Sequence, residues 1–208
     1  NARFENISCC SAQSGLAPTR PATDLCAMSE KSNPIEAWFG QTGLPDLFAP
    51  AKTVSGLRDA LNNAKDILEV SPPPVSERAD LTLDHHGLRV PARVYVPHGA
   101  QDGAGPGLVY CHGGGFMIGS LDGYDPLLQR LAAVSGVRIV SVDYRLAPEH
   151  PYPAAVDDAF AAFDAVRAGA LEAYGFDADR LAVGGDSAGG NLAASIARER
   201  RGQVGFQL

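Results

Sequence analysis

Ser187 stands inside Gly185-Asp186-Ser187-Ala188-Gly189, directly after the apolar run Leu181 to Val183 and directly before a stretch of helical pattern. That setting can turn a hydroxyl into a nucleophile. A serine on a sharp strand-to-helix corner takes a positive φ to push its Oγ outward, and the residues two before and two after it must then lack bulk. Gly185 and Gly189 meet that requirement. The helix expected from Ala188 directs its positive end at the corner, which favours developing negative charge. A glycine-rich helix entrance with an ordinary serine is the plainer alternative, and the strand–turn–helix context disfavours it.

A second group, His112-Gly113-Gly114-Gly115-Phe116, follows the apolar run Leu108 to Cys111. Successive glycines let backbone N–H groups approach an oxygen with no side chain between. Two such amides, joined by that of Ala188, could hold the oxyanion of a tetrahedral intermediate. Glycine turns also cradle phosphates, but Ile118 stands where a dinucleotide fingerprint needs glycine, and no Gly-Lys-Ser/Thr occurs. A purely structural tight turn stays open.

A third segment, Asp143-Tyr144-Arg145-Leu146-Ala147-Pro148-Glu149-His150-Pro151-Tyr152-Pro153, follows the run Val137 to Val142. HGGGF, DYRLAPEHPYPA and GDSAGG, in this order and at these separations, resemble the hormone-sensitive-lipase-like (family IV) carboxylesterases and lipases of the α/β-hydrolase superfamily. The resemblance covers about residues 33–208. It implies an α/β-hydrolase fold, a mostly parallel sheet with helices on both faces and N-terminal cap helices. It implies Ser187 as nucleophile and Gly114, Gly115 and Ala188 as oxyanion donors, acting on small to medium acyl esters with no cofactor and no metal. His112, Gly113, Asp143, Arg145, Glu149, Gly185, Asp186 and Gly189 are then scaffold. Of these, Asp143, Arg145 and Glu149 read as an ion-pair network.

Serine needs a base, an imidazole oriented by a carboxylate. Yet His85, His86, His98, His112 and His150 all precede Ser187, and Glu199 is the one acidic residue after it. The resemblance implies the order nucleophile, acid, histidine, which puts the last two beyond Leu208 and makes the 208 residues inactive alone. His112 and His150 are weak substitutes, being parts of structural motifs. A non-catalytic hydrolase-fold receptor for a small ligand is the rival reading, and an inactive gene fragment a third. His85-His86, adjacent on a surface strand and facing opposite sides, has the wrong spacing for one metal.

The elements that must position these groups follow from pattern. Residues 33–70 read as helical, with Ile35, Trp38 and Phe39 on one face and Val54, Leu57, Leu61, Ile67 and Leu68 near the 3.6 period. Ser71-Pro72-Pro73-Pro74 ends them. Leu81 and Leu83, then Val90, Ala92, Val94 and Val96, alternate as an antiparallel hairpin turning near Gly87 with one buried face. After a loop over 99–107, the runs at 108–111, 137–142 and 181–183 suit strands covered on both faces. Between them lie a helical stripe of Leu127, Leu128, Leu131 and Val134, and another of Val156, Phe160 and Phe163 with Asp157 and Asp158 in its first turn. Strand–helix alternation predicts a right-handed, parallel, helix-covered sheet. A helix over 188–201 and a strand beginning at Val204 complete the pattern.

Residues 1–27 hold three of the four cysteines and little periodicity, so we read them as a non-native leader or disordered extension, with Met28 as the natural start. The expected division is then 28–74 as cap helices and 75–208 as a hydrolase domain lacking its C-terminal part. A net charge of -7 without a long basic cluster argues against nucleic acid. No apolar run reaches a membrane span, and no secretory signal is visible. The cysteines show neither metal spacing nor a disulfide framework. A cytoplasmic protein with an acyl ester as its small-molecule partner is expected; oligomeric state is not legible.

Overall fold

The computed structural model describes residues 53–67, 71–100 and 103–208. The expected leader over 1–27, and Ile35, Trp38 and Phe39, lie outside the described residues, as do residues 68–70 at the end of the expected helical region. Within it, helix α1 runs Val54–Ile67. The hairpin follows as β1 (Glu77–His85) and β2 (Leu88–Val96), then β3 (Gly105–Cys111), α2 (Leu121–Ser135), β4 (Arg138–Val142) and α3 (Ala154–Arg167). A 3-10 turn (Glu172–Tyr174) leads into β5 (Phe176–Gly185), α4 (Ala188–Glu199) and β6 (Phe206–Gln207).

The six strands form one sheet in the order β1-β2-β4-β3-β5-β6. β1–β2 and β2–β4 pair antiparallel, and all later pairs are parallel. Register places Val94, Val140, Val109 and Val183 side by side across four strands. That row belongs to the core beneath α3 and α4, with Phe163, Leu192 and Ile196 above it. One residue along, Tyr95, Ile139 and Leu108 face the opposite way and meet Leu128 and Ala132 of α2. The central strands are therefore apolar on both faces, which is why their sequence runs do not alternate.

Three expectations need correction. β2 does not have a single buried face, because Arg93 and Tyr95 are buried as well as Val94. Arg93 can lie there because Asp80, Asp122 and Asp125 all accept from its guanidinium. In α2, Leu127 and Val134 are exposed while Leu128 and Ala132 are fully buried, so the buried stripe is displaced by one position. Ser120 caps this helix by accepting from the Gly123 amide, and Gly136 closes it in the left-handed conformation. Finally, His86 is not a strand residue on the face opposite His85. It sits in the hairpin turn at φ 49°, and the two rings meet edge to face at 4.2 Å. A smaller shift occurs at β3, which starts at Gly105 inside the expected loop.

Phe163, fully buried between α3 and the sheet, tests this packing. Phe163→Ala is expected to cost about 3–5 kcal/mol in urea unfolding. A loss below about 1 kcal/mol would mean that α3 does not cover the sheet as described.

Candidate active site

Ser187 occupies the corner between β5 and α4 with φ 50° and ψ -116°. It is exposed. Such a backbone costs a side-chain-bearing residue about 1–3 kcal/mol and persists only where neighbours enforce it. The enforcement is steric. A Cβ on Gly189 would collide with the carbonyl oxygens of Cys111 and His112, and one on Gly185 with the Cys111 carbonyl and the backbone of Gly189. The first turn of α4 is thus pressed against the C-terminal end of β3, and the corner between them has no room to relax.

The glycine loop leaves β3 at that same end. Gly114 (φ 124°), Gly115 (φ 59°), Phe116 (φ 62°) and Gly119 (φ 105°) all take left-handed backbone. The amides of Met117 and Ile118 both donate to the Gly114 carbonyl at 3.0 Å, closing a tight turn. Gly113 is held from the serine side, its N–H donating to Asp186 Oδ1 at 2.9 Å. Asp186 also accepts from the hydroxyl of Tyr110 at Oδ1 and from that of Tyr124 at Oδ2. Burial first, then the nearby Asp186 charge and bond, push both phenols upward, so they stay neutral donors. Among the described residues, none accepts a hydrogen bond from the N–H of Gly114, Gly115 or Ala188.

His112 lies beneath this turn, fully buried and stacked on Tyr144 at 4.4 Å. Its Nδ1 is 2.7 Å from the Gly113 carbonyl, which makes Nδ1 the protonated nitrogen. Nε2 is buried without a partner among the described residues. Burial pushes the imidazole down from its ordinary value, keeping it neutral. Tyr144 donates to the His112 carbonyl at 2.7 Å, bracing the ring and the loop together. Nearby, burial pushes the Asp143 carboxyl upward, opposed by the Arg93 charge. Cys111, one residue earlier, is a buried thiol pushed up to about 12 by desolvation.

The expected network of Asp143, Arg145 and Glu149 is not formed among those three. Arg145 pairs instead with Asp158 of α3, which accepts from its guanidinium and its backbone N–H. Glu149 pairs with Arg58 of α1. The segment turns between Leu146 and His150, whose N–H donates to the Leu146 carbonyl. Arg145 is thereby directed at one helix and Glu149 at another. Asp158, expected in the first turn of α3 for the helix dipole, is buried there. It lies at helical spacing among Ala155, Ala159 and Ala162, all buried, and that spacing was the signal that it needed a partner. Nothing in the sequence pointed to Arg58. Among the described residues, no group of three or more His, Cys, Asp and Glu side chains could hold a metal ion.

A profile of the alpha/beta hydrolase fold matches residues 108–207, a stretch that holds all three motifs. Over 170 residues the chain is 44% identical to carboxylesterase NlhH of Mycobacterium tuberculosis (strain H37Rv), covering 79% of this chain and 52% of that protein. Over 135 residues it is 45% identical to the ethyl acetate hydrolase of Pseudomonas putida, covering 64% and 41%. Among solved structures, the hyperthermophilic esterase from the archaeon Pyrobaculum calidifontis is similar at a TM-score of 0.72 and 41% identity, over 84% of this chain and 57% of that one. The chain spans about half the length of the curated relatives it matches. Sheet order, matched profile and relatives agree that the chain has the α/β-hydrolase fold, and over the part it spans it is similar to carboxylesterases and esterases.

Proposed function

We propose that the protein is a serine carboxylic-ester hydrolase acting on small to medium acyl esters. Ser187 Oγ attacks the ester carbonyl carbon while its proton passes to an imidazole base. The carbonyl oxygen becomes an oxyanion, held by the N–H groups of Gly114, Gly115 and Ala188. Collapse breaks the bond to the alcohol, which leaves with the proton from the imidazolium, and the acyl group stays on Ser187. Water, deprotonated by the same base, then attacks the acyl carbon, and the acid departs as Ser187 recovers its proton.

The observation that carries this reading is the positive φ of the exposed Ser187, at the N-terminus of α4. Support comes from the unengaged amides of Gly114, Gly115 and Ala188, since one oxyanion-hole donor is worth about 10²–10³ in kcat. The helix end adds a favourable field for the anion.

None of the histidines in residues 1–208 is proposed as the base. His112, the one nearest in sequence to the glycine loop, has its Nδ1 against Gly113 and its ring under Tyr144. The resemblance puts the base and its carboxylate after the nucleophile. Residues 1–208 alone are accordingly expected to turn over esters about 10⁴-fold or more slowly than a form carrying both groups.

In the full-length protein, Ser187→Ala is expected to lower kcat/KM for p-nitrophenyl acetate by at least about 10⁴-fold. Turnover surviving that change would remove the mechanism. A second expectation concerns His112. Its folded-state pKa lies below the unfolded value, so its contribution to stability is complete above about pH 6.5 and is lost as pH falls through that region. Urea midpoints at about pH 7.5 and 5.5 should fall further for the wild type than for His112→Gln. Equal falls would contradict a neutral, buried imidazole.

A further inference from the structure

Helix α1 touches the glycine loop at two points on one face. Arg58 Nε donates to the Met117 carbonyl at 2.7 Å, on the outer limb of the loop. One turn further along, Asn62 Oδ1 accepts from Ser120 Oγ at 2.6 Å. Ser120 is the residue that ends the loop and caps α2. Positions 58 and 62 are four apart and therefore share a helix face. That face follows the limb from Met117 to Ser120.

Arg58 does more than touch the loop. Nη2 donates to the Ala147 carbonyl at 3.0 Å, and both Nη atoms reach the Glu149 carboxylate at 2.9 and 2.8 Å. The Ala147 amide in turn donates to the Phe116 carbonyl at 2.8 Å. One planar fork thus joins three separate segments, namely α1, the turn over 116–117 and the 147–149 stretch. The loop's inner limb is already held by Asp186 through Gly113. Its outer limb has the α1 face as its counterpart. Gly114 and Gly115 lie between the two limbs.

We propose that Arg58 is a positioning residue for the oxyanion loop, with Asn62 as its second mooring on the same helix. This rests on the reading of Gly114 and Gly115 as oxyanion donors. Met117 and Ile118 both donate to the Gly114 carbonyl, so displacement of Met117 pulls on the peptide that follows Gly114, whose N–H belongs to Gly115. A donor displaced by about 1 Å can cost about 10²-fold in rate without weakening ground-state binding. Arginine suits the role because its fork can satisfy two carbonyls and a carboxylate at once. A lysine ammonium is a single point charge and cannot span them.

The test compares the full-length wild type with Arg58→Ala, Arg58→Lys, Glu149→Gln and Ser187→Ala, using p-nitrophenyl acetate kinetics, thermal melts and amide hydrogen exchange. Arg58→Ala is expected to lower kcat about 10- to 100-fold while KM changes less than about threefold, with faster exchange at Met117 and Ile118. Arg58→Lys should keep the attraction to Glu149 and recover the melting temperature, yet leave kcat low; it carries the test if the alanine variant fails to fold. Glu149→Gln leaves both carbonyl bonds in place and should cost kcat less than about threefold. Unchanged kcat in Arg58→Ala, or recovery of kcat together with stability in Arg58→Lys, overturns the proposal when Ser187→Ala is inactive. Should Ser187→Ala keep wild-type turnover, the esterase reading fails separately. Exchange at Met117 and Ile118 then decides whether Arg58 braces the loop, and unaltered exchange overturns it.

Discussion

One carboxylate keeps two loops in register. Asp186 precedes Ser187 in the chain and accepts from the first glycine amide after His112, so the corner and the glycine turn cannot drift apart without breaking a charge-assisted bond. Tyr110 and Tyr124 occupy further lone pairs of the same carboxylate. Tyr124 also accepts from Gly113 at 3.1 Å, closing a small cycle. Behind this cycle, the side-chain-free faces of Gly185 and Gly189 let α4 press on the end of β3. The strained backbone of Ser187 is a consequence of both constraints.

Charge is used elsewhere mainly to pin helices to the segments packed against them. Arg145 ties the segment after β4 to α3 through the buried Asp158. Arg200 ties the end of α4 to α3 through Asp164, with its guanidinium over the Phe160 ring at 5.0 Å. Arg93 fastens β2 to β1 and to α2. Each arginine meets carboxylates through a planar fork, which sets direction as well as distance. Among the described residues, no helix is long and apolar enough to cross a membrane.

Much of this was legible in the sequence, for identifiable reasons. The apolar runs at 108–111, 137–142 and 181–183 lie in strands, the second from Arg138 onward, because burial on both faces leaves no alternation to confuse. The positive φ of Ser187 was legible because flanking glycines have few other reasons to sit at that spacing. What was missed depends on tertiary partners. Arg93 is buried because α2 brings two aspartates over it, and a strand pattern carries no trace of a helix that arrives later in the chain. Glu149 and Arg145 looked like mutual partners because opposite charges close in sequence invite pairing, whereas their real partners are 91 and 13 residues away. Arg58 was missed for the same reason. The buried side of α2 was displaced by one residue because Leu127 and Leu128 are equally apolar, and only contact with the sheet distinguishes them.

Ester cleavage at this corner depends on where the Ser187 hydroxyl faces. A crystal structure of the full-length protein inactivated by a p-nitrophenyl alkylphosphonate measures that directly. The expected adduct has phosphorus bonded to Ser187 Oγ, with its oxygen within hydrogen-bond distance of the Gly114, Gly115 and Ala188 amides. An adduct on any other residue, or a phosphonyl oxygen turned away from those amides, would contradict the proposed mechanism.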